Sequence, residues 1–165
     1  MKDSIKIKTQ IDNTSKILDI ILMLSLLAAV LVPIYYYQNL PDLIPSHFDM
    51  KGNVDSYAGK ATILIIPALL LVMAIGMRLL QNYPHIFNYP VKITEQNAEF
   101  QYKMAQRFIA LINIWVVLLM MGIEIIIIKS AMGNYSSMDI VFVLSFIAVL
   151  FLAMIIYFIK AKKHS

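Results

Sequence analysis

Four apolar stretches, 17–37, 61–80, 108–128 and 139–159, account for about half of this chain, and each runs for 20 or 21 residues. A bilayer core of about 30 Å needs roughly 20 apolar residues at helical rise. Soluble helices of that length would carry a polar face, and runs such as IVFVLSFIAVLFLAMIIYFI have none. Because lipid cannot satisfy free backbone groups, the spans are expected to be α-helices despite their many Ile and Val residues. With 60% apolar and 15% charged residues in 165, the chain is expected to be an all-α membrane protein, a single four-span domain over residues 1–165. The first span is longer than a signal peptide's apolar region and no A-x-A site follows it, so it is expected to be retained.

Orientation follows from the basic residues. Eleven of the 14 Lys and Arg lie before the first span, around the loop between spans two and three, or after the fourth; Lys51, Lys60 and Lys129 alone fall in the other two loops. The positive-inside bias then predicts a multi-pass protein of the cytoplasmic membrane with both termini in the cytoplasm. The same bias accounts for the net charge of +4, and no nucleic-acid-binding signature accompanies it. Cysteine is absent, which excludes disulfides and thiolate chemistry. The eleven methionines fall mostly inside the spans as apolar filler.

The loop 39–60 is the most specific stretch. Pro41 ends the first helix and Pro45 opens an extended segment. Gly52 and Asn53 offer positive φ for a turn, and 54–57 can return as a partner strand, so a short β-hairpin-like loop is expected on the outer end of the bundle. Leu40, Pro41, Asp42, Ile44, Pro45, His47, Phe48, Gly52, Asp55 and Lys60 form a pattern that resembles the domain of unknown function 1648 family, the module shared with SdpI-like immunity membrane proteins. Segment 88–98 resembles the same family's stretch ahead of its third span. The resemblance implies protection against secreted toxic peptides, in some members coupled to a cytoplasmic regulator. SdpI-like proteins continue into further spans, whereas this sequence stops shortly after its fourth.

Polar residues near the outer end suggest a ligand surface. Glu124 lies about one turn before the outer end of the third span, where an acid is costly and usually faces a partner or cavity. His47, Phe48, Asp49, Asp55 and Glu124 are the expected ligand-binding residues. His47, Asp49 and Glu124 could hold a divalent metal, since imidazole and carboxylates suit zinc; no H-E-x-x-H motif supports it. The structural alternatives are a loop hydrogen bond for His47, turn capping by Asp42 and Asp55, and snorkelling of Glu124 or its pairing with Lys129.

The expected function is noncatalytic outward recognition, plausibly of a secreted peptide, in an immunity or signalling role in a bacterial membrane. No resident cofactor is expected. The alternatives are a metal-dependent membrane hydrolase using the outer loop, and a structural subunit packed on a partner membrane protein. On the inner side, Thr94 is expected to cap a helix that runs unbroken through Ile128 and could dock a regulator. Pro67 is expected to kink the second span, Gly76 and Gly122 to admit close helix approach, and Asp139 to place an acid at the start of the fourth helix.

Overall fold

A computed structural model of the chain describes residues 5–7, 9, 12–49, 51–134 and 138–165, with the side chains of 138–140 left out. The side chain of Asp139 therefore lies outside the described residues, as do Lys2 and Lys8 of the basic N-terminal segment. Four helices are long and apolar enough to cross a membrane, so this is a multi-pass membrane protein. They are α1 (Asn13–Tyr36), α2 (Ile65–Leu80), α3 (Ala98–Ala131) and α4 (Met138–Lys163). Between α1 and α2 stands the expected hairpin, β1 (Leu43–Phe48) with β2 (Val54–Gly59).

The helices alternate in direction. One end of the bundle carries the hairpin, and the other carries the N-terminal segment, the α2–α3 loop and the end of α4. Helix α3 is the hub, since it packs on α1, α2, α4 and β1. Its 34 residues reach about 51 Å at helical rise, well beyond a bilayer core. The excess lies at the terminal end, where Gln101 Nε2 donates to the carbonyls of Ala161 (2.9 Å) and His164 (3.0 Å) at the close of α4.

Two apolar layers hold α1, α2 and α3 together. The middle layer comprises Leu22 and Ala29 of α1, Leu70 and Ala74 of α2, and Ile114 and Val117 of α3. The second, at the hairpin end, joins Leu40 and Ile44 to Ile63 and Ile128. Helix α4 is attached along α3 by aromatic contacts: Phe108 stacks on Tyr157 with centroids 4.3 Å apart and Trp115 on Phe146 at 4.5 Å. The Trp115 indole also donates to the Phe146 carbonyl at 3.0 Å. The remaining surface of α4 exposes residues such as Leu144, Phe151 and Ile155, as lipid contact requires.

Three local expectations change. Thr94 does cap, but it closes a turn ahead of the helix: its Oγ1 accepts from Asn97 N (3.3 Å) while Asn97 Oδ1 accepts from Thr94 N (2.9 Å), and α3 starts at Ala98. Pro67 does not sit mid-helix. Lys60–Leu64 form a 3-10 turn and α2 begins at Ile65, so Pro67 falls in the first α turn, where a missing N–H is tolerated. The proline inside a long helix is Pro33 of α1, buried beside the core.

The two glycines also separate. A Cβ on Gly122 would come 2.4 Å from Cε1 of Phe142, so this glycine is the close approach between α3 and α4; a Cβ on Gly76 would meet nothing within 4 Å. Gly76→Ala is therefore expected to stabilise the protein by about 0.5–1 kcal/mol, the helix-interior difference between the two residues. Gly122→Ala is expected to destabilise it by about 1–3 kcal/mol through overpacking. Denaturant unfolding in micelles measures both, and equal effects at the two positions would contradict this account.

Candidate functional site

The hairpin owes its shape to the residues that also form its motif. Pro45 has no N–H to give to a ladder, and the register slips beside it. Pro45 pairs with Tyr57, His47 with Ser56 and Phe48 with Val54, which leaves Ser46 on β1 and Asp55 on β2 without register partners. Across this distortion His47 Nδ1 and Asp55 Oδ1 lie 2.6 Å apart. At the tip, Asp49 Oδ1 accepts from the amides of Lys51 and Asn53, each at 2.8 Å, and its Oδ2 accepts from Asn53 Nδ2 at 3.0 Å. Those bonds, the Asn53 side chain first, hold the Asp49 carboxyl below the usual carboxylate range. Gly52 takes the positive φ of 87°. Asn53 does not take positive φ, because its role is to bond Asp49.

The base of the hairpin is closed by Lys60, whose amide donates to the Asp42 carbonyl at 2.9 Å and whose ammonium lies 3.2 Å from the Asp42 carboxylate. Leu40 and Ile44 pack into the bundle end, and Pro45 beside them is also buried. Burying an aliphatic side chain of this size is worth about 1.5–3 kcal/mol. The opposite side presents Leu43 (62% exposed), Tyr57 (60%), His47 and Asp55. Most of the motif thus builds the seat and frame of the hairpin, and a smaller group forms its outward surface.

Residues 24–71 match the family described as Domain of unknown function (DUF1648). The matched segment runs from the middle of α1 through the hairpin to the first turns of α2 and contains the motif in 40–60. An uncharacterized protein of Archaeoglobus fulgidus is 30% identical over 81 residues, covering 42% of this chain and 44% of the relative. The chain therefore spans less than half the length of that relative. No solved structure matches it.

The expected ligand residues do not form one cluster. His47 is engaged with Asp55, Asp49 with the turn, and Phe48 is half-buried at the end of β1. Glu124 is fully buried, and neither carboxylate oxygen has a hydrogen-bond partner among the described residues. It therefore does not snorkel. It lies one turn deeper than Ile128, whose packing on Ile44 seals the bundle beneath the hairpin. Among the described residues, no three His, Asp or Glu side chains gather where one ion could be held. His47, Asp49 and Glu124 are thus set at different levels of the structure. Eleven residues separate Glu124 from Asn113, close to three full turns, so both face the α2 side of α3, where Asn113 Nδ2 donates to the Ala74 carbonyl at 3.0 Å.

Sequence reasoning missed a second polar region, at the terminal end. Asp19 of α1 and Arg78 of α2 form a bidentate ion pair with both contacts at 2.8 Å. Asp12 caps α1 through the Ser15 amide at 2.9 Å and pairs with Arg107 of α3. The Ser15 amide, the Arg107 guanidinium and the Ser15 hydroxyl pull the Asp12 carboxyl down to about 2. Gln106 Nε2 donates to the Gln81 carbonyl at 2.6 Å. Ser15, Asp19, Arg78, Gln81, Gln106 and Arg107 border a cleft of about 600 Å³. The signal was present in the sequence: Asp19 and Arg78 are opposite charges at matching depth near the ends of two apolar spans.

Two outcomes test this description. Replacing Glu124 with Leu removes a buried acid that has no partner, so thermal stability in detergent is expected to rise by about 1–3 kcal/mol; a fall would mean that Glu124 has a stabilising partner. Asp12 has a folded pKa below its unfolded value, so its contribution is present above about pH 4 and lost as pH falls through about 2. Asp12→Asn is expected to weaken that acid dependence of melting, and an unchanged acid limb would contradict the cap.

Proposed function

We propose that this protein is a single four-span unit of the cytoplasmic membrane that recognises a peptide ligand noncatalytically on its hairpin, in a toxin-immunity or sensory role. The observation that carries the reading is the hairpin's division of labour. A loop that merely connected two helices would need neither the apolar seat under Leu40 and Ile44 nor the tied tip at Asp49. Both together hold Leu43, Tyr57 and the His47–Asp55 pair on a fixed outward surface. A rigid display of one aromatic, one aliphatic and one paired acid and imidazole suits a peptide, which offers apolar side chains and basic groups.

The basic residues support an orientation with the hairpin outside, since eleven of 14 lie toward the terminal end. The likeness of the motif in 40–60 to SdpI-like immunity proteins is what supports the immunity reading. Ligand contact at the hairpin would reach α3 through Ile44 and Ile128, one turn from the partnerless Glu124, and so bias the packing of the hub helix. A regulator or partner membrane protein would read that change at the α2–α3 loop.

The test is survival of cells expressing the chain when challenged with a panel of purified membrane-active secreted peptides. Protection against at least one is expected, and Tyr57→Ala combined with His47→Ala and Asp55→Ala is expected to remove it at unchanged membrane expression. Absence of protection across the panel, or a triple variant that protects as well as the parent, would overturn the proposal.

A further inference from the structure

The cleft at the terminal end continues into a different kind of surface. Asp19 and Arg78 border the cleft of about 600 Å³ and also the mouth of an apolar groove of about 350 Å³ between α1 and α2. That groove is walled by Leu22, Met23, Leu26, Ile75 and Leu79. A chamber that carries charged and amide groups among apolar ones and opens through one ion pair onto an aliphatic channel is complementary to an amphiphile with its head in the chamber and a chain in the channel.

Depth and charge narrow the class. Asp19, Arg78 and Arg107 lie within three residues of the ends of the apolar stretches 17–37, 61–80 and 108–128, which is the level of lipid headgroups. Guanidinium groups match phosphate oxygens in a bidentate fork, and each has five donors. Arg78 gives Nε and Nη2 to Asp19 and Nη1 to Asn82 at 3.4 Å, and Arg107 gives Nη2 to Asp12, which leaves N–H groups on both arginines uncommitted. The two arginines are therefore balanced by two carboxylates, so the best-matched headgroup is itself neutral overall, a phosphate beside an ammonium. A further donor lies in the wall: Gln81 is 7% exposed and borders the cleft, and its Nε2 has no hydrogen-bond partner among the described residues. A buried amide left without an acceptor is costly, and a turn of the Gln81 side chain into the cleft would bring it to a phosphate oxygen.

We infer that this cleft and groove form a binding site for one zwitterionic phospholipid, its phosphate held by Arg78, Arg107 and Gln81, its ammonium near Asp19, and an acyl chain laid along Leu22, Leu26 and Ile75. The site is at the opposite end of the bundle from the hairpin and does not rest on the peptide reading. It makes α1, α2 and α3 share one lipid, so occupancy strengthens their contact where the Asp19–Arg78 and Asp12–Arg107 pairs already join them.

Native mass spectrometry of the full chain in detergent, titrated with phosphatidylethanolamine, phosphatidylglycerol or inorganic phosphate, tests this directly. A one-to-one phosphatidylethanolamine adduct is expected, about tenfold tighter than that of phosphatidylglycerol, the size of one well-placed charged interaction. Gln81→Leu breaks no hydrogen bond of the Gln81 Nε2 among the described residues, so it is expected to fold normally and to weaken the adduct about tenfold. Ile75→Trp, which narrows the groove without touching the cleft, is expected to weaken it comparably. Equal adducts in parent and variants would overturn the site. Saturation by inorganic phosphate that survives Ile75→Trp would show that the cleft takes a soluble anion and would overturn the lipid assignment.

Discussion

The packing of the hairpin onto the end of the bundle is the contact on which the rest of this structure depends. Leu40 and Ile44 come from the loop, Ile63 from the turn that opens α2, and Ile128 from the last turns of α3, and they form one buried layer. Without it the strands would be a two-stranded ribbon, which is marginal on its own in water. With it, the register slip beside Pro45 can be held, His47 can meet Asp55, and the outward face is fixed in relation to the helices. The same layer closes the bundle over Glu124, which is why that acid is inside rather than in reach of the loop.

The second organising fact is that α3 does most of the joining. Its α1- and α2-facing stripe supplies the middle apolar layer, the Asn113 bond to α2 and the buried Glu124, while its α4-facing side carries Phe108, Trp115 and Gly122. In lipid there is little hydrophobic drive between helices, so such contacts come from small residues, aromatic stacking and hydrogen bonds. That pattern also explains the polar staples at the terminal end, where helices leave the apolar layer and must satisfy exposed backbone groups. Gln101 takes the last carbonyls of α4 and Gln106 takes the Gln81 carbonyl at the close of α2.

Much of this architecture is legible in the sequence, for a definite reason. Twenty-residue apolar runs admit few structures in a bilayer, so the four helices follow directly, and Pro41, Pro45 and Gly52 punctuate the hairpin strongly enough to place both strands. Side-chain partnerships were harder to read. His47-x-Asp49 looks like a shared face on a strand, yet β1 ends at Phe48 and Asp49 turns inward to the tip amides. Asp55 emerges beside His47 through the register slip, which no period-two pattern encodes. Asp19 and Arg78 are 59 residues apart, and what could have joined them is their equal depth rather than any local motif.

The loop 40–60 is a folded unit clamped to the helix ends, and hydrogen exchange in lipid nanodiscs reads that clamp amide by amide. The amides of Asp49 and Lys60, bonded to the carbonyls of Asn53 and Asp42, are predicted to exchange far more slowly than an open loop. Ile128→Ala, which thins the seat from the α3 side without touching the hairpin, is predicted to speed both. Rapid exchange of these amides in the parent, or protection that ignores Ile128→Ala, would contradict a clamped hairpin and with it the fixed outward surface.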